Sequence, residues 1–269
     1  DGSWSHLSLG RFLNTLVGDT LYFRADGGSD GDELWAHDTS NSSTWQVAEL
    51  NAGSADSNPG EYLQILVGDT LYFSAQTSAQ GSELWAHDTS NSSTWQVADI
   101  RSGTQSSDPG EYFQILVGDT IYFDALWASS SISSPKHELW AHDTSNSSTW
   151  QVTDINSGAT ATPGFYMDIL VGDTIYFSAN GGSSAIELWA HDTSNSSTWM
   201  VDDINSGGYS SPGRYVKFLV GDTLYFSADD GVDGNELWAH DTSNSSTWQV
   251  ADINSGATTS TLGFYMDIL

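Results

Sequence analysis

The sequence predicts an all-β fold: a five-bladed β-propeller of four-stranded antiparallel blades, with one surplus terminal strand. Three observations carry that prediction. The thirteen residues Glu-Leu-Trp-Ala-His-Asp-Thr-Ser-Asn-Ser-Ser-Thr-Trp occur five times unchanged, starting at Glu33, Glu83, Glu138, Glu187 and Glu236. Their period, near fifty residues, marks one supersecondary unit that buries its apolar faces only against its neighbours. Each period holds four short apolar segments, and no stretch shows helical periodicity.

The second copy illustrates the elements in order. Residues 62–67 form a short apolar strand, and Gly68-Asp69 is a two-residue hairpin signal. Residues 70–75, rich in aromatic and aliphatic side chains, read as the second strand. Residues 76–82 are a loop that varies between copies, and residues 83–87 make the third strand. Asp88 to Ser93 is a polar turn, residues 94–100 are the fourth strand, and a Ser/Gly/Pro-rich loop leads into the next copy. Nearly continuous apolar character fits strands covered on both faces by neighbouring blades. Trp35, Trp85, Trp140, Trp189 and Trp238 are read as blade packing on that basis. The same reading is favoured for Trp45, Trp95, Trp150, Trp199 and Trp248, which sit beside the polar turn, with exposed ligand platforms as the alternative.

The whole chain reads as one five-repeat propeller, with repeats starting near 16, 66, 116, 170 and 219. Residues 1–15 form an N-terminal strand segment. Against 6 basic residues stand 35 acidic ones, a formal charge of −29. That sign disfavours nucleic acid and anionic membrane surfaces as partners. The aromatic content demands a core and excludes an acidic disordered tail. No cysteine is present, so disulfides and thiolate chemistry are excluded, although secretion is not. No apolar run is long enough to span a membrane as a helix. The chain opens at Asp1 with neither Met nor signal segment, which suits a processed mature chain.

Glu-Leu-Trp-x-x-Asp, followed by a Thr-containing turn, a strand ending in Asp-Ile and a strand pair with Leu-Tyr-Phe-x-Ala, resembles the ELWxxDGT tandem repeat. The resemblance covers nearly the whole chain from Leu16. It implies a propeller-like fold and a secreted or surface location, and it carries no catalytic motif. The chain departs from the repeat where Gly is expected after the Asp, since Asp38 is followed by Thr39-Ser40-Asn41-Ser42-Ser43.

The apolar strand before the Gly-Asp hairpin occurs six times, whereas the other three strand types occur five times. Residues 263–269 are the sixth copy. Both chain ends thus offer the same strand for one slot. Phe12 and Leu13 at one end, and Phe264, Tyr265, Met266, Ile268 and Leu269 at the other, are the candidate assembly strand. Donation to a neighbouring molecule would build a head-to-tail homopolymer. A strand lying unused, and a window cut from a longer array, are the alternatives.

Asn41, Asn91, Asn146, Asn195 and Asn244 each open an Asn-Ser-Ser glycosylation sequon in the polar turn. The other reading is a turn chosen for its local hydrogen bonds. The adjacent pairs beginning at His37, His87, His142, His191 and His240 place His and Asp on opposite faces of a strand, which favours structural use. Asp26, Asp30 and Asp32 in one loop, and Asp229, Asp230 and Asp233 in another, have the oxygen ligands and glycines of a Ca²⁺ site. Solvated acidic loops are the simpler reading. The recurring Glu33, Glu83, Glu138, Glu187 and Glu236 would form a carboxylate ring if they faced a channel, or else serve as polar strand starts. No acidic pair stands apart from the repeats in the manner of a glycosidase site.

These features together predict a non-enzymatic extracellular or cell-surface protein, structural or adhesive, that assembles with itself and is decorated by glycans. The alternative is a lectin-like propeller with one shallow sugar site per blade.

Overall fold

The structure, a computed structural model, describes residues 13–127, 135–182 and 186–253. The described residues form twenty strands in five four-stranded antiparallel sheets, and no helix occurs among them. The first sheet is β1 (Asn14–Val17), β2 (Thr20–Asp26), β3 (Asp32–Asp38) and β4 (Ser43–Ala48). The second is β5 (Gln64–Val67), β6 (Thr70–Thr77), β7 (Gly81–Asp88) and β8 (Ser93–Ala98). The third comprises β9 (Gln114–Val117), β10 (Thr120–Trp127), β11 (Lys136–Asp143) and β12 (Ser148–Thr153). The fourth holds β13 (Asp168–Val171), β14 (Thr174–Asn180), β15 (Ile186–Asp192) and β16 (Ser197–Asp202). The last consists of β17 (Lys217–Val220), β18 (Thr223–Asp229), β19 (Asn235–Asp241) and β20 (Ser246–Ala251). In every sheet the spatial order of the strands is their order in the chain. By internal contacts the chain divides into two compact units, Asp1–Pro135 with Ala141–Thr149, and Lys136–Trp140 with Trp150–Leu269.

In the first unit, Val17 pairs with Thr20 and Val67 with Thr70, so the hairpin loops are two residues long. Gly18 and Gly68 take φ near +58° and +59° at the first central position, a conformation that glycine adopts without steric cost. Between the third and fourth strands the register shifts. Trp35 faces Gln46 while Leu34 faces Ala48, which leaves Val47 as an extra residue in a bulge. The same shift recurs at Leu84/Trp85. Such bulges twist the fourth-strand edge and blunt it against pairing with another edge.

Apolar residues that alternate along the strands meet between the first two sheets. Leu13, Tyr22, Leu34, Ala36, Leu71, Phe73 and Ala75 form one buried cluster, flanked by Val47, Leu50, Leu66 and Trp85. The second unit repeats the plan. Met167, Tyr176, Leu188, Ala190, Leu224, Phe226 and Ala228 cluster against Ile169, Val201, Ile204 and Trp238. Its third and fourth strands carry the bulge at Leu188/Trp189 and Leu237/Trp238.

Leu13, one of the candidate assembly residues, is 1% exposed within the first unit's core. Its carbonyl also accepts a hydrogen bond from Arg24 N at 3.3 Å. The pairing β1–β2 matches β5–β6 residue for residue, so the N-terminal copy fills the first edge position of its own sheet. Phe12, Phe264, Tyr265, Met266, Ile268 and Leu269 lie outside the described residues.

Candidate functional site: the turn and tryptophan of each repeat

The conserved thirteen-residue segment within each repeat folds into the third strand, a four-residue turn and the start of the fourth strand. In the first repeat Asp38 pairs with Ser43, and Asp38 organises everything between them. Its Oδ1 accepts from Ser40 N at 2.8 Å and Ser40 Oγ at 2.6 Å, and its Oδ2 accepts from Asn41 Nδ2 at 2.6 Å. Asn41 Oδ1 in turn accepts from Ser43 N at 2.9 Å. Ser42 adopts φ +61°, and its amide reaches Asp38 O at 2.8 Å. Thr39 ties the turn to the hairpin, its N and Oγ1 both donating to Asp19 O. The bonds around Asp88, Asp143, Asp192 and Asp241 reproduce this pattern. Donation from the Ser hydroxyl and amide holds each of these carboxyls below the ordinary range.

The five sequon asparagines, Asn41, Asn91, Asn146, Asn195 and Asn244, are all exposed at the tips of these turns. Each has its amide nitrogen engaged by the turn Asp, so the sequon residues are also what closes the turn.

The histidine preceding each turn Asp points the other way. His87 Nδ1 lies 2.8 Å from Thr94 Oγ1 of its own sheet, and its ring sits 5.3 Å from Tyr22 of the preceding sheet. His142 meets Thr149 and Tyr72 in the same way, and His240 meets Thr247 and Tyr176. Burial lowers the pKa of His87, His142, His191 and His240. The contact with the preceding sheet is thus one of rings, and the Nδ1 hydrogen bond stays inside the sheet.

Packing covers only part of each fourth-strand tryptophan. Trp45, Trp95, Trp199 and Trp248 are 40% exposed and Trp150 39%, because they lie on the outermost strand beside the turn. Alternation along a strand tells which side chains share a face but not how far each lies from a sheet's edge. The third-strand tryptophans behave as expected and pack among the core residues, as Trp85 does.

The recurring glutamates sit at the start of the third strands, where they are buried and bonded to backbone and hydroxyl groups. Glu33, Glu83, Glu138, Glu187 and Glu236 are fully buried and form latches to the loop after the fourth strand. Glu83 accepts from Ile100 N at 2.8 Å, Arg101 N at 3.3 Å and Ser107 Oγ at 2.7 Å. Glu33 does the same with Leu50, Asn51 and Ser57. Burial outweighs these donors and pushes Glu83 and Glu187 up to about 7. The signal that could have found the latch is the serine twenty-four residues beyond Glu33 and Glu83, in a loop otherwise read as filler.

The acidic loops use their carboxylates locally. Asp26 Oδ1 accepts from Gly28 N at 2.6 Å, Asp30 Oδ1 from Ser29 Oγ at 2.7 Å, and Asp32 from Arg24 Nε at 2.8 Å. Asp229 accepts from Gly231 N, while Asp230 accepts from Val232 N and Asp233 N. Among the described residues no three His, Asp or Glu side chains converge on one point.

The sequence matches no protein-family model and no curated protein. Similarity to solved structures is in the fold. The dipeptidyl peptidase 4 of Porphyromonas gingivalis superposes with a TM-score of 0.54 at 8% identity, over 87% of this chain and 38% of that one. A puromycin hydrolase gives 0.53 at 10% identity, over 91% and 38%. A prolyl endopeptidase gives 0.52 at 12% identity, over 88% and 36%. The likeness is one of propeller architecture. This chain spans less than two-fifths of the length of each of these proteins.

Proposed function

We propose that the chain is a non-enzymatic extracellular protein, structural or adhesive, that acts through a surface repeated five times. The observation that carries this reading is the exposed tryptophan beside an exposed polar turn in all five sheets. An indole face half open to water, flanked by hydroxyls and amides, suits the apolar face and hydroxyl rim of a sugar ring. Five weak sites in one chain bind a polymeric glycan far more tightly than each would alone, by roughly 10²–10⁴-fold. The non-enzymatic part rests on equivalence. Each of the five His rings meets the Thr hydroxyl seven residues on in its own sheet, and none is set beside a Ser in the manner of a nucleophile-base pair. Peptidase chemistry is not carried over from the structural neighbours at 8–12% identity.

The test is binding to immobilised polysaccharides by the wild type and by a variant with Trp45, Trp95, Trp150, Trp199 and Trp248 all changed to alanine. Retention on at least one polysaccharide, lost in the variant while its fold is kept, is the expected result. Unchanged retention in the variant, or none by the wild type on any polysaccharide, would overturn the reading. Intact-mass measurement of the native protein tests separately whether the five asparagines carry glycan. Self-association through residues 263–269 belongs to the same proposal, and deletion of that segment should dissolve any assembly.

A further inference from the structure

We propose a second site, present once rather than five times: a polar cleft between the first and second repeats that binds a single neutral sugar ring. The cleft has a volume of about 330 Å³ and is lined by Asn51, Asp56, Gln76, Ser78, Thr104 and Ser106, with Thr77, Ala55 and Gly81 completing the wall. That size is at the lower end of small-molecule sites.

Its framework is built before any ligand arrives. Asn51 is 5% exposed and bonded through both its amide oxygen and its amide nitrogen. Its Oδ1 accepts from Ser78 N and Ser78 Oγ, both at 2.9 Å, and its Nδ2 donates to Asp56 O at 2.9 Å. Gln76 Nε2 donates to the same carbonyl at 3.0 Å, and Asp56 Oδ1 accepts from Asp32 N at 2.9 Å. Gly81 holds φ +72°, and a Cβ there would lie 2.6 Å from the Gln105 carbonyl carbon, so the wall closes against backbone.

What remains unused sets the ligand class. Asp56 Oδ2 and Gln76 Oε1 accept no bond among the described residues. The Thr104 hydroxyl is likewise unbonded, and Ser106 Oγ accepts from Ser82 N while keeping its own proton to give. Two acceptors and two hydroxyls match the hydroxyls of a sugar, which donate and accept together. No cationic side chain lines the cleft, since Arg101 spends its Nη1 on the Ser106 carbonyl at 3.0 Å, and the Asp56 carboxylate disfavours an anionic ligand.

The combination occurs at this junction alone among those described. The backbone bonds Gln76 N to Ser57 O, Leu126 N to Ser107 O, Asn180 N to Ala161 O and Asp229 N to Ser210 O align the repeats. At the position of Asp56 the later repeats carry Ser106, Thr160 and Tyr209, and at that of Gln76 they carry Leu126, Asn180 and Asp229. The packing and turn residues stay constant across the same repeats, so the first junction differs where it lines the cleft.

The test is saturation-transfer NMR and calorimetric titration with methyl glycosides of common hexoses and N-acetylhexosamines, and with Ca²⁺ alone. One sugar should bind at one site per chain. Asp56→Ala and Gln76→Ala should each weaken it about tenfold or more. Asp56→Asn keeps an acceptor for Asp32 N and guards against loss of the loop. The variant lacking all five exposed tryptophans should bind the sugar as the wild type does, which separates this site from the repeated surface. No binding of any sugar, binding that survives both alanine substitutions, or a response to Ca²⁺ alone would overturn the proposal.

Discussion

Replacing Ser107 by alanine should raise the titration of Glu83 by about one unit, from about 7 towards the value of about 8 that burial imposes on Glu138. The third repeat already contains the substitution. Ala161 occupies the place of Ser57 and Ser107, as its amide bond to His137 O matches theirs to Asp32 O and Ser82 O. Glu138 consequently keeps the backbone donors Ile155, at 3.0 Å, and Asn156 but has no hydroxyl partner among the described residues. Lys136 pulls Glu138 downward, and Glu138 still lies above Glu83, so the missing hydroxyl is the difference to test. A carboxyl moved from 4.5 to about 7 withdraws on the order of 3 kcal/mol between acid and alkaline pH, at about 1.4 kcal/mol per unit. Because the folded value is raised, this stability is fully present below 4.5 and is lost as pH climbs through 7. In Ser107→Ala the loss should continue through about 8 and end about 1.4 kcal/mol deeper. Two assays read it: carbon-13 titration of the Glu83 carboxyl, and denaturant unfolding at both ends of that range. An unmoved or lowered titration, or an equal extra loss at both pH values, would refute the argument.

Three further outcomes are expected. Gly81→Ala, at φ +72° with backbone 2.6 Å from the new Cβ, should cost about 3 kcal/mol or more in denaturant unfolding, and Gly68→Ala, at φ +59° in open space, about 1 kcal/mol. Phe73→Ala, wholly buried, should cost about 3–5 kcal/mol, while Trp95→Ala, 40% exposed, should cost roughly 1–2 kcal/mol. The turn carboxyls titrate in the opposite sense to the glutamates. Asp88 is held below 3.8 by Ser90, so its contribution exists above that value and fades as pH falls through its folded pKa. The Ser90 amide proton should report that loosening by NMR, and Asp88→Asn should abolish its acid dependence.

The strand order, the Gly-Asp hairpins and the Asp-closed turns were legible because each rests on neighbours in sequence. Gly68 beside Asp69 needs only the local backbone to become a turn, and Asp88 reaches Ser90 and Asn91 two and three residues on. The exposure of Trp95 was not legible, since it depends on the strand's rank in the sheet rather than on alternation. Nor was the latch of Glu83, whose partners lie 17 to 24 residues away in a loop without a pattern. The place of Leu13 depended on a choice between two equivalent pairings, and β1 settled in its own repeat. The polar cleft was hidden for a related reason: Asn51, Asp56 and Gln76 belong to two variable loops, each unremarkable when read alone.

Each sheet is drawn from four strands consecutive in the chain, and none of the described sheets borrows a strand from a distant repeat. Duplication of one fifty-residue stretch of gene therefore supplies a complete new sheet together with its own buried glutamate and joining loop. Growth by copying needs no partner elsewhere to be rewritten, and the unchanged thirteen-residue segments are what recent copying of such cassettes would leave behind.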